Sequence, residues 1–250
     1  MGSAPQIAVV PAPRADAPRS PARAPRPSSI ALKVTMAVTG TVFALFVLVH
    51  MIGNLKAYTG AEHFDPYAHW LRTLFEPLLP YEGMLWILRT VLLLCLLAHV
   101  GASIVLVVRA RRARGRFRRT GMGWRRLPAT LMPYTGLVLL VFIVVHILDL
   151  TTGTAPVAPE NFEPATPETA HAYHNLVESL SRWPMALFYI VVMVLLGLHL
   201  VHGLLTAAND FGVTGHRVRR YWALAGAVIA GAVAVGNISI PVAVLTGVVS

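Results

Sequence analysis

Residues 31–53 read ALKVTMAVTGTVFALFVLVHMIG, and Lys33 is the one charged side chain in that stretch. At 1.5 Å of rise per residue, about twenty such residues cross the ~30 Å hydrocarbon layer of a bilayer. Four more apolar runs of spanning length follow, near residues 84–108, 131–150, 184–208 and 221–247. The composition agrees with that reading. Hydrophobic residues make up 56% of the chain, charged residues 13%, and the mean hydropathy is +0.63, whereas a soluble domain carries about 25% charged residues. The expected fold is therefore an all-α membrane protein of five transmembrane helices. The fifth run is rich in Ala, Gly and Val and contains Pro241, which predicts an irregular outer end.

Working outward from the spans, residues 1–29 are rich in Pro, Ala and Arg and have no apolar stretch of signal-peptide length. They are expected to form a disordered basic tail ahead of one membrane domain over 30–250. The formal net charge of +10 does not point to nucleic acid, because the basic residues lie between apolar runs without interleaved aromatics. Arg14, Arg19, Arg23, Arg26 and Lys33 lie in or next to the tail. Arg109, Arg111, Arg112, Arg114, Arg116, Arg118, Arg119, Arg125 and Arg126 fill the second connection, and Arg217, Arg219 and Arg220 the fourth. The first and third connections instead hold Glu62, Asp65, Glu76, Glu82, Glu160, Glu163, Glu168 and Glu178. The positive-inside rule then predicts a cytoplasmic N-terminus and an outer C-terminus. Trp70, Trp86, Trp124, Trp183 and Trp222 fall near the predicted interfaces, as an aromatic belt should. Residues 61–76 and 167–182 have start signals and amphipathic spacing, which predicts two short interfacial helices on the outer side. Cys95 is alone inside an apolar run, so neither a disulfide framework nor a cysteine-only metal site is available.

The chemistry is expected at histidines. Ionisable side chains in a spanning helix are costly and usually functional, and the first four runs contain His50, His99, His146 and His199. Each lies roughly fifteen or more residues past its helix start, and neighbouring helices run in opposite directions. His50 and His146 are therefore expected toward the outer face, and His99 and His199 toward the cytoplasm, at levels about 10–15 Å apart. Two opposed imidazoles at one depth are what a haem iron in a bundle needs. Gly40 and Gly136 each stand ten positions before the histidine of their own helix and follow a threonine, Thr39 and Thr135. These glycines would let a porphyrin approach the backbone. A hydrogen-bonded packing role and a proton relay or transport pathway compete with haem ligation. A transporter would show polar pore lining and broken helices; a Rieske-type cluster would need two cysteines.

MAVTGTVFALFVLVHMIGNLKAY, LLLCLLAHVGASIVL, PYTGLVLLVFIVVHILD and LFYIVVMVLLGLHLVHGLLTAANDFG together resemble the cytochrome b anchor of succinate dehydrogenase and fumarate reductase, in its single-subunit, dihaem, five-helix class. The likeness covers about 31–220. It implies two b haems, the proximal one on His99 with His199 and the distal one on His50 with His146. It further implies flavoprotein and iron–sulfur partners on the cytoplasmic side, a membrane quinone as electron acceptor, and a location in the inner membrane of a bacterium. The succinate chemistry would belong to the partner subunits. A haem-poor anchor of the same kind of complex is the nearest alternative, and further association of whole complexes is open.

Several other residues are candidates. Arg89, about two turns into the second span, could pair with a haem propionate or snorkel to the headgroups. His202 lies one turn after His199 and could meet a propionate, a partner or its packing neighbours. His63, His69, Arg72 and Glu76 sit where a quinone needs donors and a proton carrier, although each also suits a solvated helix face. His171 and His174 have helical metal-pair spacing without a third ligand. Asp149 is expected to cap the third helix's outer connection.

Overall fold

A computed structural model of the chain describes residues 27–114 and 127–250. Among them are seven α-helices and no strand: α1 (Ser29–Asn54), α2 (Ala61–Thr73), α3 (Gly83–Arg114), α4 (Leu127–Leu150), α5 (Ala172–Ser181), α6 (Trp183–Asp210) and α7 (His216–Leu245). The five long helices α1, α3, α4, α6 and α7 have the length and apolarity to cross a membrane. The chain is a multi-pass membrane protein. Its exterior supports this: Leu93, Leu94 and Leu97 on α3 are each more than half exposed. Each such side chain left in water forgoes roughly 1.5–3 kcal/mol of burial energy, whereas hydrocarbon imposes no such loss. Most of the basic tail, residues 1–26, and the arginine-rich connection, including Arg116, Arg118, Arg119, Arg125, Arg126 and Trp124, lie outside the described residues.

The helix ends follow local rules. The Ser28 hydroxyl accepts from the Ala31 amide at 3.0 Å and caps α1. α6 and α7 close in the same way, with Gly212 at φ +84° and Gly247 at φ +75°. In each, the next residue's amide reaches back five positions along the chain, Val213 to Ala208 and Val248 to Ala243. That is a Schellman closure, which needs the left-handed conformation glycine adopts freely. Pro241 does not break α7 as expected. It is fully buried against its neighbours and the helix continues to Leu245, because packing stabilises a turn that is short of one hydrogen bond.

Small residues set the packing. A Cβ on Gly197 of α6 would stand 3.1 Å from Ala234 Cβ of α7, and one on Gly226 of α7 would stand 3.3 Å from Leu204 Cβ of α6, so these two helices approach closely. Gly236 of α7 likewise makes room for Met51 of α1. α1 packs on α3 and α6, and α4 packs on α6. The order across the bundle is thus α3, α1, α6, α4, with α7 outside on α6 and α1. Among the described residues, the diagonal pairs α1 with α4 and α3 with α6 do not pack closely. The Arg109 guanidinium ties the far end of α3 to the start of α1 through Pro27 O at 2.8 Å and Ser29 Oγ at 3.1 Å.

The opposite end is capped by α2, α5 and the 151–171 loop. Asp65 of α2 accepts from the Tyr173 amide at 2.9 Å and caps the start of α5. Asn175 clamps Glu163 through both of that residue's backbone groups, at 2.9 and 2.7 Å. The two short helices exist as expected but are shorter. α2 stops at Thr73 because Leu74 is extended and Phe75 takes φ +70°. α5 starts only at Ala172: Thr166 Oγ1 holds the amides of Glu168 and Thr169 in a turn, and His171 is left-handed at φ +49°.

Candidate functional site

The structure brings the four predicted histidines together in two pairs. His50 of α1 faces His146 of α4, with ring centroids 5.8 Å apart and planes at 85°. His99 of α3 and His199 of α6 are near enough to interact electrostatically. Each pair therefore spans one of the loosely packed diagonals. Depth follows from the helices. Thr39 and Gly40 of α1 touch His99, while Thr135 and Gly136 of α4 touch His199. Both contacts lie ten residues, or about 15 Å, before the histidine of the same helix. The two pairs are thus separated by about that height, at the upper end of the expected range.

Hydrogen bonds define the free nitrogen on three of the rings. Thr39 Oγ1 is 2.7 Å from Thr35 O and 3.0 Å from His99 Nδ1. Two oxygens at 2.7 Å repel unless a proton lies between them, so the hydroxyl donates to the carbonyl. It must then accept from His99 Nδ1–H. Thr135 repeats the arrangement: it donates to the Leu131 and Met132 carbonyls at 3.2 and 3.1 Å and accepts from His199 Nδ1 at 3.0 Å. Tyr189 donates its hydroxyl proton to Asp149 Oδ2 at 2.9 Å, and its oxygen lies 3.3 Å from His146 Nδ1. In all three rings Nε2 is left with its lone pair, the state a metal-binding imidazole requires. His50 differs, with its ring stacked on Phe46 at 5.4 Å.

The dimensions suit a metal between rings. With metal–imidazole bonds of about 2.0–2.1 Å, the two nitrogens stand about 4 Å apart and the ring centres about 6 Å. The measured 5.8 Å is close to that value. A Cβ at position 40 would crowd His99, standing 3.3 Å from its Cε1, whereas one at position 136 would be in ordinary contact, 3.5 Å from His199 Cε1. The His50–His146 spacing and the donor set therefore fit a metal held between two imidazoles.

Sequence reasoning missed the polar cluster behind His146. Asp149 is not a helix cap; it is fully buried. Besides Tyr189, it accepts from Ser179 Oγ at 2.5 Å and Arg182 Nη2 at 2.7 Å. Arg182 also donates to Val157 O at 2.8 Å, which ties the cap to the bundle. The available signal was a carboxylate three residues beyond His146, on the same helical face.

The remaining candidates separate. Arg89 donates to Glu82 Oε2 at 3.0 Å and lies 4.9 Å over the Trp86 ring. Arg72 Nε approaches Glu82 Oε1 at 3.2 Å, an ion pair whose geometry falls short of a hydrogen bond. Glu82, read from sequence only as part of an acidic connection, thus joins two of the predicted cations. His69 is half-buried, and its Nδ1 is buried with no hydrogen-bond partner among the described residues. Glu76 is exposed and, among the described residues, makes no ion pair. Nearby, Tyr81 donates to Thr166 O at 2.7 Å; burial raises its pKa above the usual tyrosine value, and Arg72 opposes the shift. His63 lies in an exposed contact with Glu62 at 3.5 Å. His171 and His174 are held by the loop, at 2.6 Å from Glu163 Oε2 and 2.9 Å from Asn161 O. His202 lines an open cavity of about 600 Å³ at the α6–α7 corner, with Thr206, Asn209, His216, Arg219 and Trp222.

Comparison with family models, with curated proteins and with solved structures finds no match to this chain.

Proposed function

We propose that this chain is the membrane-anchor cytochrome b subunit of a succinate:quinone oxidoreductase in a bacterial inner membrane, with its arginine-rich end toward the cytoplasm. The observation that carries the reading is the set of two imidazole pairs, about 15 Å apart in height, with Nδ1 of three rings already hydrogen-bonded. The resemblance of residues 31–220 to the dihaem anchors supports the assignment of the complex.

In this reading His99 and His199 would hold the proximal haem b, and His50 and His146 the distal haem b. When bound, haem supplies reversible one-electron transfer at its iron. The chain's residues do the rest. Thr39, Thr135 and Tyr189 fix ring orientation and tautomer, and Gly40 and Gly136 leave room for the macrocycles. The cap of α2 and α5 covers the end of the bundle nearer the His50–His146 level, through the bond from Ser179 to Asp149. Arg89 keeps N–H groups beyond its bond to Glu82 for a propionate. Quinone is the substrate, taken near His69, Arg72 and Glu76. The unpartnered His69 Nδ1 suits one of its carbonyls, while the exposed Glu76 exchanges protons with water. Flavoprotein and iron–sulfur subunits dock at the arginine-rich end and deliver electrons, and the lipid-facing leucines hold the anchor in the bilayer.

A reduced-minus-oxidised spectrum of the purified protein, with pyridine-haem quantification, tests the proposal. Two haems per chain are expected, and no haem band in a folded preparation overturns it. Substituting Ala for His99 or His199 should remove one haem, and substituting it for His50 or His146 the other. Loss in any other pairing rejects the ligand assignment.

A further inference from the structure

Of the imidazoles of His50, His99, His146 and His199, only that of His146 is, among the described residues, backed by a carboxylate. His146 Nδ1 meets the Tyr189 oxygen at 3.3 Å, and the Tyr189 proton goes to Asp149 Oδ2 at 2.9 Å. Arg182 and Ser179 hold that carboxylate at 2.7 and 2.5 Å in a fully buried position. His99 and His199 meet threonine hydroxyls that donate onward only to neutral backbone carbonyls, and His50 stacks on Phe46. Resting on the haem reading above, we propose that Tyr189, oriented by Asp149, is a positioning residue that enriches His146 in electron density and lowers the midpoint potential of the His50/His146 haem.

The physics is that of hydrogen-bond polarisation. A donor ring N–H directed at an electron-rich acceptor shifts electron density toward the opposite nitrogen, making it a stronger ligand to the higher oxidation state. Asp149 makes the Tyr189 oxygen such an acceptor, because a phenol that donates to a carboxylate gains negative character. The low-dielectric surroundings strengthen the interaction, and Arg182 limits it by sharing the carboxylate. At 3.3 Å the bond is long, so the effect is a tuning one: removing it should raise the reduced-to-oxidised ratio at a given potential about tenfold, or about 59 mV for one electron. The other haem should not respond.

Redox titration of the purified protein in detergent, followed optically, resolves one wave per haem. Tyr189→Phe keeps the ring and its packing, so both haems should remain, with one wave displaced upward. Asp149→Asn should displace the same wave in the same direction and by no more. Thr135→Val removes the partner of His199 and should move the other wave instead, which assigns the two. Unchanged potentials in Tyr189→Phe, equal displacement of both waves, or outright loss of the haem would each overturn the inference. The last outcome would make Tyr189 a retention element rather than a tuning one. A wild-type protein without two haems rejects the underlying reading instead, so the two failures are distinct. If Tyr189→Phe does not fold, Asp149→Asn decides alone: a wave that stays in place rejects the inference.

Discussion

Arg182→Met tests whether the Asp149 cluster holds the cap to the bundle. Asp149 is fully buried, and the guanidinium reaches it at 2.7 Å. Breaking a buried ion pair from one side costs about 3–5 kcal/mol, because a charge is left uncompensated. Two features reduce that figure here. The Arg182 side chain is 32% exposed, so solvent screens part of the attraction, and Ser179 and Tyr189 still donate to the carboxylate. Arg182 also gives up its bond to Val157 O, which the loop can replace with water. We expect a loss of roughly 2–3 kcal/mol, or about 4–12 °C in the unfolding midpoint of a chain this size. Asp149→Asn should cost a similar amount, by leaving Tyr189 and Arg182 poorly paired. The double variant should cost little more than either single change, a coupling of about 1.5–2 kcal/mol. The assay is thermal unfolding in detergent, followed by tryptophan fluorescence, for all four proteins of the cycle. Additive single effects, with coupling below ~0.5 kcal/mol, would refute the argument that these side chains act as one unit.

Other expectations concern the remaining parts of the site. Gly40→Val should push its side chain against His99 and abolish the His99/His199 haem while sparing the other, as pyridine-haem quantification would show. Gly40→Ala, which needs a ring displacement of only a few tenths of an ångström, should keep both haems. Glu82→Gln removes the carboxylate shared by Arg72 and Arg89 and should cost about 1 kcal/mol, given partial exposure, visible as a small drop in the thermal midpoint. Arg72→Gln should raise the KM for quinone without changing haem content; an unaltered KM places the quinone elsewhere. Cysteines introduced at Arg219 and at Thr169 should be labelled by an impermeant thiol reagent from opposite sides of the membrane, with Thr169 on the outside; labelling from one side only would overturn the topology.

The spans were legible in the sequence because crossing a bilayer is a one-dimensional requirement, satisfied by about twenty apolar residues in a row. The pairing of His50 with His146 was legible for a related reason: helix length converts residue number into depth. The Thr39–Gly40 and Thr135–Gly136 contacts were half-readable. The glycines read as space for a cofactor, whereas nothing in the sequence shows that the threonine hydroxyls hold the rings across the helix pair. The Asp149 cluster was not readable, because Ser179 and Arg182 arrive from a different element after a thirty-residue excursion, and no periodicity links them. The bounds of α2 and α5 were misjudged for the same reason. Tertiary contacts such as Asp65 to the Tyr173 amide decide where those helices start. Pro241 shows the converse error, in which a local rule predicted irregularity and the packing of α7 overrode it.

The placement of Thr39 and His50 on one rigid rod, and of Thr135 and His146 on another, gears the two levels of the bundle together. Sliding α1 by a single residue, about 1.5 Å, would pull a hydroxyl off one ring and misalign another ring some three turns away. Neither level can be retuned by moving a helix without disturbing its counterpart. Adjustment confined to one level must therefore come from side chains that serve it alone, and Tyr189 is such a side chain.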